Sequence, residues 1–101
     1  MAVHGDRVFL AGQVAADAKQ PIGGQTRQVL AAIDALLARA GSDKSKILMA
    51  QIFIADMAEF AAMNAVWDAW VVAGHTPPRA TVQARLGKTE WKVEIVVTAA
   101  V

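Results

Sequence analysis

Two adjacent prolines, Pro77 and Pro78, constrain this chain more than any other feature. Neither can donate a backbone hydrogen bond, both hold φ near about −65°, and Pro78 biases Pro77 towards extended geometry, so no helix runs through this point. Arg79 therefore begins a new element. From there Ala80, Val82, Ala84 and Leu86 fall on one side and Arg79, Thr81, Gln83 and Arg85 on the other. That is the period-2 signature of a half-buried strand. A long side chain at a strand end can hold its guanidinium over a cleft, and the fork matches a carboxylate or phosphate through two parallel hydrogen bonds. Arg79 is thus a candidate anchor for a small acidic ligand. The plainer alternative is a strand-end arginine lying in solvent or paired with a surface acid.

Upstream, residues 7–12 are short, mostly apolar and closed by glycine, as expected of a buried first strand. Residues 19–24 hold Pro21, Gly23 and Gly24 and read as a connector. A helix is expected to start within a few residues of Gly24, because Val29, Leu30, Ile33, Leu36, Leu37 and Ala40 recur at helical spacing and Gly41 supplies a stop. The polar stretch 42–46 reads as a connector with one helical turn capped by Ser42 or Asp43. Residues 47–55 follow as a strand. Alternation puts Ile47, Met49, Gln51 and Phe53 on one face and Leu48, Ala50, Ile52 and Ile54 on the other; both are largely apolar, so the strand is interior. Asp56 and Glu59 have capping-box spacing, and a second helix runs to about Val72 with Phe60, Met63, Trp67, Trp70 and Val71 on its apolar face. After a loop over 87–91, the last strand spans 92–100, with Val93, Ile95, Val97 and Ala99 facing one way and Glu94 the other.

Strand, helix, strand, helix, strand, strand is the pattern of an α+β domain over residues 1–101. Parallel crossovers and one antiparallel addition make a mixed sheet covered by two helices. Hydrophobic residues make up 55% of the chain, against a typical level of roughly 45–50%, and a domain this small leaves much of its surface uncovered. Self-association is the expected outlet. The sheet face away from the helices, with apolar positions such as Leu48 and Ile52, is expected to be buried between subunits.

The absence of cysteine excludes disulfides, thiolate catalysis and thiolate metal sites. A net charge of +1 with dispersed basic residues lacks the stripe of a dedicated nucleic-acid binder. With no long apolar run and no export signal at its start, the chain is expected in the cytoplasm, without a membrane span. His4 and His75 are the only imidazoles and no carboxylates cluster at ligand spacing, so no metal site is expected. Ser42 and Ser45 have no histidine near them in sequence.

Arg79, Glu94 and Asn64 remain. Glu94 is a carboxylate in an otherwise apolar strand, which suits either acid–base work or a solvent-facing position. Asn64 interrupts the apolar stripe of the second helix and either lines a site or ties down a loop. In a plain hairpin of the last two strands, Arg79 would sit on the order of 16 Å from Glu94. Either the two are unrelated, or those strands are not neighbours, or a site spans two chains.

Several segments in order, Ala11-Gly12-Gln13, the run 25–30, the run 53–64, Pro78-Arg79-Ala80-Thr81-Val82 and Val93-Glu94-Ile95, together resemble the reactive intermediate deaminase (RidA/YjgF) family over nearly the whole chain. The resemblance implies a chorismate-mutase-like fold with strand order 1-4-2-3, whose last two strands are not neighbours. It also implies a homotrimeric pseudo-barrel with clefts between chains. Family members hydrolyse enamines and imines to 2-oxo acids and ammonia without a cofactor. By position, Arg79 would clamp the substrate carboxylate, the Thr81 backbone would orient the imine nitrogen or water, and Glu94 would activate that water. Gly12 and Asn64 fall where the family lines its pocket. The family usually adds a tyrosine-bearing segment before the first strand; this chain has no tyrosine and begins just before that strand. An upstream extension carrying that tyrosine is expected to tighten ligand binding. Two alternatives stand beside imine hydrolysis: a small-carboxylate or 2-oxo-acid sensor without efficient turnover, which the missing tyrosine favours, and the ribonuclease or translation-inhibiting activity attributed to some relatives, against which the absence of a basic patch or a histidine pair argues.

Overall fold

The computed structural model describes residues 1–101, and its five strands form one sheet in the order β1-β2-β5-β3-β4. The strands are β1 (Ala2–His4), β2 (Arg7–Phe9), β3 (Ile47–Ile54), β4 (Arg79–Gln83) and β5 (Val93–Ala100); the helices are α1 (Ile22–Arg39) and α2 (Phe60–Trp70). The fold is α+β. β5 runs antiparallel to both β2 and β3, while β4 lies parallel to β3, as a crossover through α2 requires. β3 therefore separates the last two strands, and the order of the four strands expected from sequence is the implied 1-4-2-3.

Both helices pack on one face of the sheet. Val29, Leu30, Ile33 and Leu37 of α1 and Met63 and Trp67 of α2 close over Ala50, Ile52, Ile54 and the buried row Val93, Ile95, Val97 and Ala99. The Trp70 indole N–H donates to Asp34 Oδ2 at 2.9 Å and ties the end of α2 to α1.

Four expectations are corrected. Residues 22–24 are not connector but the first turn of α1, which follows Pro21; the Pro21 carbonyl accepts from the Gln25 N–H at 2.9 Å, and a residue before the first turn has no need to donate. In β3 the register shifts between Ile47 and Met49, so Ile47 turns into the core and Leu48 is left 47% exposed. Ile52 is fully buried under the helices rather than awaiting a subunit partner; the open face instead carries Phe9, Met49 and Val82, each more than 40% exposed. Finally, α2 stops at Trp70, because Val71 turns extended at ψ 153°.

Two local features were not anticipated. β1 and β2 form a hairpin around a two-residue turn in which Gly5 takes φ 61°, a left-handed conformation that suits glycine. Asp56 does cap, but a 3-10 turn, Met57–Glu59, through the Ala58 N–H, and the Glu59 carboxylate reaches Lys92 at 4.0 Å instead of returning to the cap. Asp43, of the two residues expected to cap the 42–46 turn, is the one that does so; hydrogen bonds from the Ser45 side chain and backbone hold its carboxyl below the ordinary range.

The loops are fastened by one buried amide. Gln25 Nε2 donates to the carbonyls of Ala18, Gln20 and Glu90 at 3.0–3.1 Å, and its Oε1 accepts from the Lys92 N–H at 2.9 Å. Gln25→Leu would strand those partners. It is expected to lower stability by about 2–4 kcal/mol in chemical denaturation, whereas the exposed Arg27→Ala should change it by less than about 0.5 kcal/mol.

Candidate functional site

The parallel ladder between β3 and β4 begins where the Ala50 N–H donates to the Pro78 carbonyl at 3.0 Å, a bond that Pro78 can accept although it could not donate one. Arg79 is thereby set beside Ala50, Thr81 beside Ile52 and Gln83 beside Ile54. Since partners in register share a face, these polar residues turn towards the helices, while Ala80 and Val82 lie on the open face. β4 is an edge strand. Its ladder bonds run from Pro78 O to the Ala84 N–H at the two ends, so even-numbered residues pair with β3 and the N–H and C=O of Arg79 and Thr81 point to the free edge.

Above this edge, α2 presents Phe60, Asn64 and Trp67, spaced to share one helix face. The Arg79 guanidinium lies 5.7 Å from the Phe60 ring centroid and 5.3 Å from that of Trp67, within cation–π range of both. Its Nη1 donates to Asn64 Oδ1 at 2.7 Å. No carboxylate comes within ion-pair distance of it, since the two salt bridges of the chain are Arg7 with Asp6 and Lys92 with Glu59. The Thr81 Oγ1 is buried with no hydrogen-bond partner.

Glu94 lies elsewhere. It pairs in register with Phe53, so it projects from the open face, on the opposite side of the sheet from Arg79. With β3 between their strands and a step of three positions from Ala50 to Phe53, the two are offset by about 10 Å across the sheet and about 10 Å along it. The Glu94 side chain has no hydrogen bond or ion pair of its own. Gly12 packs on it: past β2 the chain stays beside β5, with Gln13 and Ile95 exchanging backbone hydrogen bonds of 2.9 and 3.1 Å. A Cβ at position 12 would fall on the carboxylate, 2.9 Å from Glu94 Cδ. Only glycine permits so close an approach.

The five candidate residues thus divide into two groups. Arg79, Asn64 and the outward Thr81 backbone gather at the β4 edge; Gly12 and Glu94 gather on the open face. One chain does not bring them together. Phe60 and Trp67 were expected only as core, because a ring that packs inward and a ring that cradles a cation keep the same helical spacing. The concavities of the single chain involve neither group: one is the groove between α1 and α2 beside Trp70, and the other lies under loop 84–91 beside Arg85 and Trp91.

The family described as Endoribonuclease L-PSP matches residues 1–101. A RutC family protein from Haemophilus ducreyi is 46% identical over 101 residues, covering 100% of this chain and 86% of its own length. The RutC family protein YoaB of Escherichia coli K12 is 61% identical over 77 residues, 76% of this chain and 68% of the relative. Among solved structures, a YjgF-family protein from Neisseria meningitidis is 50% identical with a TM-score of 0.91, covering 94% of this chain and 79% of its own. A protein from Pseudomonas aeruginosa is 43% identical with a TM-score of 0.95, covering 97% and 85%.

The Gly12 contact makes a geometric prediction. Gly12→Ala should displace the Glu94 side chain while leaving the core intact. A crystal structure of the variant is expected to show the carboxylate in a new rotamer, with the melting temperature within about 3 °C of wild type; an unmoved carboxylate would contradict this.

Proposed function

The chain belongs to the endoribonuclease L-PSP family, alongside its RutC and YjgF relatives, and from that premise we propose that it hydrolyses reactive enamines and imines of small amino acids to 2-oxo acids and ammonia. We place the sites of a homotrimer between chains, where Arg79 of one subunit meets Glu94 of the next. What supports this most is the Arg79 guanidinium, gripped by Asn64 and two aromatic rings yet without an acidic partner. A half-buried cation left without a counter-ion suits an incoming carboxylate, which its free N–H groups can take in two parallel bonds. The exposed Phe9, Met49 and Val82 give the open face a reason to associate.

In this reading Arg79 binds the substrate carboxylate and fixes the imine carbon. The Thr81 backbone, facing the free edge, orients the imine nitrogen or the attacking water. Glu94 takes a proton from that water as its oxygen bonds to the imine carbon. The resulting carbinolamine nitrogen receives that proton from Glu94; as the carbon–nitrogen bond breaks and ammonia leaves, the hydroxyl proton passes back to the Glu94 carboxylate and the carbonyl of the 2-oxo acid forms. An imine carbon is already electrophilic, so orientation and one proton relay suffice without a cofactor. A sensor that binds 2-oxo acids without turnover would use the same Arg79 clamp and leave Glu94 without a chemical role.

Sedimentation at micromolar concentration is expected to give a species of three times the 10.7 kDa chain mass; a monomer would end the shared-site reading. Arg79→Ala should weaken 2-oxobutanoate binding about thirtyfold or more, and Arg79→Lys should not restore it, since an ammonium lacks the planar fork. Glu94→Gln keeps the shape but removes the base. Binding should survive while hydrolysis of 2-iminobutanoate falls by about 10²–10⁴-fold. Wild-type turnover at the spontaneous rate would favour the sensor.

A further inference from the structure

We propose that Asp68 is a positioning residue for Arg79, acting through the Asn64 amide so that the guanidinium is oriented without being consumed by an ion pair. This deepens the reading of Arg79 as a carboxylate clamp and rests on it.

The chain of contacts is short. Arg79 Nη1 donates to Asn64 Oδ1 at 2.7 Å, and Asn64 Nδ2 donates to Asp68 Oδ2 at 3.3 Å, one helical turn further along α2. The chemistry of the two ends dictates the order. A guanidinium can only donate and an ionised carboxylate can only accept, so the amide between them has one orientation that satisfies both. Arg79 alone already favours Oδ1 towards the cation; Asp68 adds the second anchor, holding the NH₂ group and with it the Asn64 rotamer, because Asn64 has no other side-chain hydrogen bond.

The intervening amide also keeps the fork available. A carboxylate directly on Arg79 would take two parallel N–H groups and neutralise the charge a ligand must find. Asn64 Oδ1 takes one N–H and adds no net charge, while the Phe60 and Trp67 rings hold the guanidinium by its π-attraction. Asp68 is exposed and forms no ion pair with Arg79, so its removal should leave the fold intact.

Two substitutions separate geometry from charge. Asp68→Asn keeps an acceptor for Asn64 Nδ2 and should bind 2-oxobutanoate as wild type does, by titration calorimetry. Asp68→Ala should weaken binding about three- to tenfold, with KM raised and kcat held, at an unchanged melting temperature. Asn64→Asp puts the carboxylate on the guanidinium itself and should weaken binding at least about tenfold. A ligand-free readout stands beside these: the ¹⁵N resonances of the Arg79 Nη atoms should be separate in wild type and Asp68→Asn, and averaged in Asp68→Ala. Wild-type affinity in Asp68→Ala, equal losses in Asp68→Asn and Asp68→Ala, or unchanged Nη resonances would each overturn the proposal. If wild type binds no 2-oxo acid at all, the clamp reading fails while the resonances still decide whether Asp68 orients Arg79.

Discussion

The hydrogen bond from the Ala50 amide to the Pro78 carbonyl sets the register of β4 on β3, and the placement of the candidate site follows from it. A slip of one residue would turn every β4 side chain to the other face. Arg79 and Thr81 would then leave α2 for the open face, and Ala80 would take the place under Phe60 and Trp67. Two prolines ahead of Arg79 stiffen the approach and forbid a helical extension that could compete with this start. The same register, read through β3 to β5, sends Glu94 to the opposite face.

A guanidinium at the edge of a sheet ordinarily lies in water or finds an acid. Arg79 does neither, because α2 closes over it with two rings and an amide but no carboxylate. Rings and an amide oxygen partly replace the lost hydration while leaving the net charge in place. Glu94 is its counterpart: a carboxylate with no partner, covered on one side by Gly12. Two unmatched charges on opposite faces of one sheet are complementary only between molecules. In a ring of subunits that joins the β4 edge of one chain to the open face of its neighbour, each would meet the other around a ligand.

Much of the fold was legible because it rests on periodicity. The stripe through Val29, Ile33 and Leu37, the alternation through Val93, Ile95 and Val97, and the proline boundary before Arg79 each survive without tertiary context. What was not legible depends on single residues that break the period. The bulge at Leu48 reverses the face of Ile47, and no propensity marks it. The first turn of α1 overrides its glycines because Ile22 and Gln25 are buried there. At the site, sequence spacing singled out Arg79, Asn64 and Glu94 one at a time, and the family resemblance added Thr81 and Gly12. It could not assign them to faces across strands that are distant in sequence, nor tell Phe60 and Trp67 as a cradle from Phe60 and Trp67 as core.

The claim that one functional site needs two chains is tested most directly by mixing. Arg79→Ala and Glu94→Gln proteins, each inactive alone, are unfolded together in equal amounts, refolded, and assayed for 2-iminobutanoate hydrolysis, with native mass spectrometry to verify mixed trimers. If Arg79 of one subunit works with Glu94 of another, about a quarter of the interfaces combine two intact halves, and about a quarter of wild-type activity should return. Mixed trimers with no activity above that of the parents would contradict the account.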